Sequence, residues 1–286
     1  MGGVRVLTRR GGFQTRATDN TPPTNHASPS PPAAWIFPAR SRIKRPSGEP
    51  SRQESAVPPT GKILPSSSAA VADIPDGAVL LLGGFGGVGV PENLLAAMAD
   101  HPARGLTIVS NHAGFGERGL AVLLRQGKVR KMVCSYAFHK SAFVFRELYL
   151  AGKIELEQVP QGTLAERLRA AGAGIPAFFT PTGAGTLAAE GKEARAFNGR
   201  EALLEYALPG DFALIRAHTA DRLGNLVYRG TAGNFNPVMA AAARVTIAEA
   251  ERIVEAGAIP PEQVHTPSVY VHRVVLGENL DLRSEA

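Results

Sequence analysis

Short apolar runs alternate from residue 61 onward with segments whose apolar residues recur every three or four positions. The runs predict buried strands, and the helical spacing predicts helices that pack against them. Strands are predicted at 78–82, 106–110, 129–135, 154–159, 213–215, 226–228, 245–248 and 269–275, and helices at 91–98, 119–125, 142–150, 164–171 and 236–243. A turn-rich stretch at 221–225 predicts a hairpin between the two strands that flank it. The alternation predicts the α/β class, with an open, largely parallel sheet that carries helices on both faces.

Residues 1–60 differ from the rest of the chain. They show no sustained apolar period and hold 10 of the 22 prolines, with nine Lys or Arg against three Asp or Glu. We expect this basic extension, rich in Pro, Ser and Arg, to be disordered, because it cannot bury enough apolar surface to offset its ordering entropy. A transit peptide, a solvated extension and a start codon assigned too far upstream all stay open. Residues 61–286 are the predicted domain.

Charge and cysteine content narrow the possible functions. Residues 61–286 carry 22 Lys or Arg and 22 Asp or Glu, so the net charge of +6 belongs to the extension. A neutral domain gives no basic surface for nucleic acid, and no apolar run approaches the roughly 20 residues of a membrane helix. The single cysteine, Cys134, excludes an internal disulfide and indicates a reducing compartment. Its position in a predicted strand favours inert packing over a nucleophilic role.

A glycine-rich loop joins the first predicted strand to the first predicted helix, which begins at Pro91. Five of the seven residues at 83–89 are glycine. Glycines there allow positive φ angles and let another molecule approach the backbone amides. The alternative is a tight turn with no ligand. Phe85 in this loop belongs either to a pocket wall or to the core.

The stretch at 84–89 also satisfies the G-x-G-x-x-G pattern of dinucleotide-binding enzymes. Two features oppose a nicotinamide enzyme. Pro91 makes the helix begin after the glycines, whereas the last glycine of that pattern packs within the helix. The second strand ends at Ser110, Asn111 and His112, where a ribose-binding acid is expected.

Taken together, several stretches resemble the A-type subunit of the family I CoA-transferases, of the 3-oxoacid or succinyl-CoA:3-oxoacid type. The resemblance runs from about residue 61 to 277 in uninterrupted order. The stretches that carry it are Asp76-Gly77, residues 83–86 with Gly89 and Pro91, Ser110-Asn111, residues 160–167, residues 172–174, Thr182-Gly183, residues 210–214 and residues 234–236.

The resemblance implies a split active site. In that family two subunit types share one α/β fold, and the nucleophilic glutamate belongs to the B-type subunit, in a Ser-Glu-Asn-Gly setting that this chain lacks. The implied partners are therefore a CoA-transferase B-type subunit, in an A2B2 heterotetramer, together with succinyl-CoA and a 3-oxoacid. Coenzyme A enters as a substrate, and no cofactor or metal is expected. The chain alone should be inactive, and the expected location is the cytoplasm.

The resemblance also assigns site residues. Gln161 matches a family glutamine whose amide points into the oxyanion hole, and a helix-capping or loop-stabilising glutamine is its alternative. The implied substrate or CoA contacts are Gly83, Gly84, Phe85, Gly86, Gly89, Asn111 and Gly162. His112 stands where the family often has a second asparagine, and this departure bears on the choice of acceptor. Asn234 and Asn236 are expected to organise a loop.

The sequence leaves the acceptor open. Acetoacetate is the first choice, because residues 246–251 and 265–267 look like the acetoacetate enzymes. Residues 143–149 and 151–156 look more like 3-oxoadipate enzymes. A non-catalytic ligand sensor built on the same fold is the alternative from a different class.

Overall fold

The computed structural model describes residues 61–278, so the predicted extension at 1–60 and the end of the chain at 279–286 lie outside the described residues. The α-helices are α1 Ser67–Val71, α2 Glu92–Asp100, α3 Leu120–Arg125, α4 Phe143–Leu150, α5 Gln161–Gly172 and α6 Asn236–Ala242. The strands are β1 Val79–Leu82, β2 Leu106–His112, β3 Val129–Tyr136, β4 Glu155–Gln158, β5 Ala177–Thr180, β6 Ala194–Phe197, β7 Arg200–Tyr206, β8 Gly210–Asp221, β9 Leu226–Val227, β10 Ala243–Val254 and β11 Arg273–Leu276. Short 3-10 helices occupy Leu187–Ala189, Gly230–Gly233, Pro261–Gln263 and Ser268–Tyr270.

An eight-stranded sheet forms the centre of the fold. Its strand order is β11-β10-β8-β1-β2-β3-β4, and β9 pairs with β8 beside this path. Every neighbouring pair along the path is parallel, and only the β8–β9 hairpin is antiparallel. The predicted open, largely parallel sheet and the hairpin are both confirmed.

Helices cover both faces of this sheet. Leu80 and Leu82 of β1 pack in one apolar cluster with α1 to α4, whereas Leu81 packs in another with α5 and α6. Successive residues of a strand point to opposite faces, so a strand covered on both sides reads as a continuous apolar run. This explains why Val79–Leu82 is so strongly apolar.

Several element boundaries differ from the prediction. Helix α2 begins at Glu92, and Pro91 is its N-cap residue rather than its first helical residue. Strands β8 and β10 are each 12 residues long, although only their apolar centres were predicted. Both strands continue beyond these centres because ten residue pairs of β10 and β8 are aligned in parallel register. This pairing keeps charged residues in strand conformation although their sequence shows no strand pattern. The predicted last strand at 269–275 is a 3-10 turn followed by β11.

A second sheet of three antiparallel strands, in the order β5-β7-β6, was not predicted. All four residues of β6 are exposed, and all four of β5 are half-buried. Strands β5 and β6, which hold no buried residue, give no periodic signal, and the central strand β7 buries Ala202, Leu203 and Glu205 without a regular alternation.

Cys134 lies fully buried in β3, and burial raises its pKa to about 12. The predicted inert packing role is consistent with this environment. Within residues 61–278, no helix is both long and apolar enough to cross a membrane.

Candidate active site

The glycine-rich loop at 83–89 leaves the carboxyl end of β1 as a small hairpin. The amide of Phe85 donates to the carbonyl of Val88 at 3.0 Å, and the amide of Val88 donates back to the carbonyl of Phe85 at 3.1 Å. Gly86 makes the turn between them with a φ of +58°, in the region that glycine adopts without strain. The loop therefore has a defined shape and presents Phe85 and Val88 to solvent.

Two asparagines hold this loop in place, Asn234 just before α6 and Asn236 at the first position of that helix. Asn236 is fully buried and donates from Nδ2 to the carbonyls of Gly89 at 3.1 Å and Ala232 at 2.8 Å. Asn234 donates from Nδ2 to the carbonyl of Val88 at 3.0 Å. These contacts agree with the expected loop-organising role of both residues.

A loop of the same pattern, which was not predicted, follows the neighbouring strand β2. Residues 114–119 repeat G-F-G-x-x-G, and their glycines have positive φ at the same three positions as Gly84, Gly86 and Gly89. Phe115 bridges to Arg118 as Phe85 bridges to Val88. The repeated six-residue pattern after two predicted strands was the signal that could have revealed it.

His112 ties these two loops together. It is only 5% exposed, and its Nδ1 accepts a hydrogen bond from the amide of Gly114 at 3.0 Å. Burial, together with nearby His139, lowers the pKa of His112 to about 4, and a hydrogen bond with the backbone of Gly86 opposes the shift. The ring is therefore neutral at physiological pH and lies on the face of β2 away from α5, packed against Phe115.

Gln161 is the first residue of α5, directly after β4 and Pro160. No side chain caps this helix, so the first backbone N–H groups have no intrahelical acceptor. The aligned peptide dipoles of a 12-residue helix add partial positive charge at the same end. The start of α5 thus favours an anion or a developing negative charge.

The side chain of Gln161 forms a hydrogen bond with Asn111 of β2. Asn111 donates from Nδ2 to Oε1 of Gln161 at 3.3 Å and to Oγ of Ser135 at 2.9 Å. Asn111 is 3% exposed, whereas Gln161 is exposed. The buried asparagine therefore contacts the glutamine rather than solvent.

A cavity of about 270 Å³ opens beside Gln161. It is lined by Phe85, Gln161, Gly162, Ala165, Asn234, Phe235 and Val238. Among these seven described residues none is charged, and the wall is mostly apolar. The structure thus brings together three of the predicted site residues, Gln161, Phe85 and Gly162.

The other five predicted residues, all described, do not line this cavity. They are Gly83, Gly84, Gly86, Gly89 and Asn111. Packing alone explains Gly83, since a Cβ atom there would lie 1.8 Å from Oδ1 of Asn236. Their substrate contacts stay a prediction.

A network of buried charges supports the start of α2. Glu249 of β10 is fully buried and accepts hydrogen bonds from the amides of Asn93 at 2.8 Å and Leu94 at 3.1 Å. Burial raises the pKa of Glu249, although its hydrogen bonds and Arg216 counteract this. Glu92, in the first turn of the same helix, has its pKa raised by burial and lowered in part by Arg118 and Arg216. A carboxyl group in the first turn of a helix complements the positive end of the helix dipole, and Glu92 holds that position.

Glu251, two residues further along β10, forms ion pairs with Arg216 at 3.1 Å and Arg229 at 3.3 Å, and its Oε2 lies 2.8 Å from Nδ1 of His218, within hydrogen-bond distance. His218 of β8 therefore contacts Glu251 of the neighbouring strand β10. Asp221 accepts hydrogen bonds from the amides of Leu223 and Asn225 within the β8–β9 turn.

Across residues 61–278 no group of three or more His, Cys, Asp and Glu side chains is arranged to hold a metal ion.

Comparison with known proteins identifies the family. Residues 65–277 match the sequence model of the Coenzyme A transferase family. The chain belongs to the coenzyme A transferase family. Among its relatives, the A subunit of 3-oxoadipate CoA-transferase from Pseudomonas putida is 55% identical over 214 residues, which cover 75% of this chain and 93% of the relative. The A subunit of a probable succinyl-CoA:3-ketoacid coenzyme A transferase from Bacillus subtilis is 49% identical over 225 residues, covering 79% and 94%.

Solved structures of coenzyme A transferases share the fold. An acyl-CoA transferase from E. coli O157:H7, in a thioester complex with CoA, superposes with a TM-score of 0.68 at 27% identity. The match covers 76% of this chain and 47% of that chain, so this chain spans about half of the longer enzyme. Glutaconate coenzyme A-transferase from Acidaminococcus fermentans has a TM-score of 0.67, with 75% of each chain covered, and at 21% identity it shows the fold alone.

The resemblance drawn from the residues is confirmed: the chain is a coenzyme A transferase chain of the A-subunit type. Membership of this family favours the transferase interpretation of the glycine loop over the nicotinamide enzyme. It does not decide which groups of the loop or the cavity contact a substrate.

Proposed function

We propose that this chain is the A subunit of a heteromeric enzyme that moves CoA from succinyl-CoA to a 3-oxoacid, with acetoacetate as the acceptor. Its partner is a B-type subunit that carries the nucleophilic glutamate, in an A2B2 heterotetramer. Relatives at 49% and 52% identity, from Bacillus subtilis and Xanthomonas campestris, are named as A subunits of succinyl-CoA:3-ketoacid coenzyme A transferase, the first of them as a probable one. Their names support both the reaction class and the need for a second subunit.

The arrangement of Gln161 carries the proposal. Its Oε1 accepts a hydrogen bond from Asn111, so the two N–H bonds of Nε2 are left for the cavity that Gln161 lines. Gly162, the next residue, also lines the cavity and offers an amide from the uncapped start of α5. A side-chain amide and a helix-terminal amide on two residues that line one cavity are suitable donors for an oxyanion.

Each step of the proposed reaction passes through such an oxyanion. The partner's glutamate attacks the succinyl-CoA thioester, and CoA thiolate leaves as an acyl-glutamyl anhydride forms. The thiolate then attacks the glutamyl carbonyl, which releases succinate and leaves CoA as a thioester on the enzyme. The acceptor carboxylate attacks that thioester, and the expelled thiolate finally attacks the acceptor's acyl group to give the new acyl-CoA and free glutamate.

Hydrogen bonds from Gln161 should stabilise the tetrahedral intermediates more than any other species in the reaction. A carboxylate is a weak nucleophile, so much of the barrier lies in placing negative charge on the carbonyl oxygen. Fixed N–H donors stabilise that charge more than they stabilise the neutral carbonyl, which raises kcat with little effect on KM. Once a substrate fills the cavity, the apolar wall formed by Phe85, Phe235 and Val238 lowers the local dielectric constant and so strengthens these hydrogen bonds.

3-Oxoadipate is the second candidate acceptor. The relative from Pseudomonas putida, at 55% identity, is named for that acid. The uncharged lining of the cavity favours the methyl end of acetoacetate over a second carboxylate, unless the B-type subunit supplies a cation. A comparison of kcat/KM for the two acids with the same enzyme separates the candidates.

The test uses the full-length chain together with the subunit that co-purifies with it. We expect the complex to form acetoacetyl-CoA from succinyl-CoA, and the chain alone to show no turnover. Gln161→Ala should lower kcat by about 10²–10³-fold, the usual cost of one oxyanion donor. Gln158→Ala, an exposed glutamine at the end of β4, is the matched control and should keep wild-type activity.

Three outcomes would contradict the proposal. A change of less than about threefold in Gln161→Ala would make the glutamine a structural residue. Turnover by the pure chain would remove the need for a second subunit. Purification of the chain without a partner, with binding of acids but no turnover, would favour the ligand sensor.

Two further parts of the proposal concern location and cofactors. We expect a cytoplasmic enzyme that uses coenzyme A only as a substrate and binds no metal. Cell fractionation tests the location, and full activity of the complex after dialysis against a chelator tests the cofactor requirement.

A further inference from the structure

Three polar side chains from separate parts of the chain meet behind the proposed oxyanion donor. Asn111 lies near the end of β2, Ser135 lies near the end of β3, and Gln161 begins α5. Asn111 Nδ2 lies 2.9 Å from Ser135 Oγ and 3.3 Å from Gln161 Oε1, and Ser135 Oγ lies 3.0 Å from the carbonyl oxygen of Asn111. Ser135 does not line the cavity.

Counting hydrogens fixes the direction of every bond in this group. The hydroxyl of Ser135 has a single hydrogen, and the carbonyl oxygen of Asn111, which can only accept, takes it. Toward the side chain of Asn111, Ser135 can then act only as an acceptor. The atom of Asn111 that faces Ser135 must therefore be its NH₂ group, and the second hydrogen of that group points to Gln161.

The orientation of the Asn111 side chain also fixes that of the Gln161 side-chain amide. An NH₂ group can only donate, so the atom of Gln161 that faces Asn111 must be the carbonyl oxygen Oε1. The amide of Gln161 is thereby oriented with its own NH₂ group on the other side. Without this contact the terminal torsion of a glutamine is soft and roughly two-fold, and the side chain could present its oxygen to the cavity instead.

We infer that Ser135 is a positioning residue for the transfer reaction: acting through Asn111, it selects the orientation in which Gln161 presents N–H donors to the cavity. The inference rests on the proposed oxyanion role of Gln161. It also gives Asn111 a role other than substrate contact. Ser135 itself touches neither substrate nor the reacting atoms.

The sheet explains why these residues meet. In the β2–β3 register Ser110 pairs with Cys134 and His112 with Tyr136, so Asn111 lies opposite Ser135. Both point to the face where Val109 and Val133 pack against Leu164 and Leu168 of α5. Since α5 starts at this edge of the sheet, its first side chain reaches the pair.

A double-mutant cycle in the complex with the partner subunit tests the inference. Ser135→Ala removes the acceptor that orients Asn111, and we expect kcat to fall about 3- to 10-fold with KM changed less than twofold. Ser135→Thr keeps the hydroxyl and should restore kcat to within twofold of wild type. In Ser135→Ala/Gln161→Ala, kcat should equal that of Gln161→Ala alone, because an absent amide cannot be oriented.

Thr246→Ala is the matched control. Its hydroxyl also makes a buried hydrogen bond from a strand, to the carbonyl of Ala240 at 2.8 Å, but it lies outside this group. We expect a lower melting temperature with wild-type kcat. The melting temperatures of the Ser135 variants show whether any loss of activity merely follows unfolding.

The outcomes separate this inference from the proposed function. If Gln161→Ala keeps full activity, the oxyanion role itself is wrong and the inference is lost with it. If Gln161→Ala is impaired but Ser135→Ala multiplies its effect in the double variant, only the inference is overturned. Wild-type kcat in a folded Ser135→Ala complex also overturns only the inference.

Discussion

Gly83 is the position where the smallest change should cost the most stability. A Cβ atom added there would lie 1.8 Å from Oδ1 and 2.8 Å from Cγ of Asn236, and 3.4 Å from the Cα atom of Ile215. Atoms that are not bonded cannot approach so closely, so Asn236 must move. It cannot move freely, because it is fully buried and holds the glycine loop.

The cost of Gly83→Ala follows from the contacts that Asn236 would lose. Its Oδ1 accepts from the amide of Arg216 at 3.0 Å, and its Nδ2 donates to Gly89 at 3.1 Å and to Ala232 at 2.8 Å. Leaving a buried polar group without its partner costs about 1–3 kcal/mol, and overpacking adds about 1–3 kcal/mol. Since these losses overlap, we expect the free energy of unfolding to fall by about 3–5 kcal/mol, or the melting temperature by about 6–20 °C.

Urea denaturation of the full-length chain measures this loss. Gly87→Ala in the same loop is the control, since its Cβ would meet nothing within 4 Å, and it should change stability by less than about 0.5 kcal/mol. Gly83→Ala/Asn236→Ala should be no less stable than Asn236→Ala, because the clash is then relieved. If Gly83→Ala matched Gly87→Ala in stability, the reasoning from close approach would be refuted.

Three further predictions use single residues. In Gly162→Ala the added methyl group meets nothing within 4 Å at a helical position, so the free energy of unfolding should stay equal or rise by up to about 1 kcal/mol. Because Gly162 lines the cavity, the KM for the acceptor should increase, and an unchanged KM would place the methyl group outside the substrate's path. Burial raises the pKa of Cys134 to about 12, so a thiol reagent at pH 8 should leave the native chain unlabelled and label the urea-denatured chain; rapid native labelling would contradict this burial. Burial favours the neutral form of Glu157, but hydrogen bonds from Arg167 and Lys131 outweigh it and lower its pKa below the usual 4.5. Because the pKa of Glu157 is lower in the folded chain than in the unfolded chain, its charged form stabilises the fold at a pH above the unfolded-state pKa, and this stabilisation is lost as the pH falls. The difference in unfolding free energy between wild type and Lys131→Met, measured by denaturation, should therefore shrink from pH 7 to pH 3. A difference that stays constant with pH would exclude the Lys131–Glu157 pair as its cause.

Family membership could be reached from local stretches of sequence. The apolar run of β1 and the glycines that follow it are short segments whose residue types determine their own conformation, whereas α5 begins at Gln161, three residues before the helix predicted from its apolar spacing. The alternation of such strands and helices predicted the fold class, and several matching stretches in uninterrupted order from about residue 61 to 277 predicted the transferase family. The resemblance carried by these stretches named Phe85, Gly162 and Gln161 as site residues, and the structure brings these three to one cavity.

Local patterns did not reveal what depends on partners distant in sequence. The exposed strands of the small sheet have no period of their own, and the charged ends of β8 and β10 become strand only because they pair with each other. The requirement for glycine at Gly83 comes from Asn236, 153 positions away.

The sequence by itself determined the fold class and the glycine loop, and the family resemblance that it carries pointed to Gln161 as the proposed oxyanion donor. Only the tertiary structure decided how that donor is oriented, because Asn111, Ser135 and Gln161 meet through strand register and helix packing. It also turned His112 away from Asn111, since neighbouring residues of a strand point to opposite faces of the sheet. Hydrogen-bond direction depends on which atoms face each other, and that is settled only when distant segments pack.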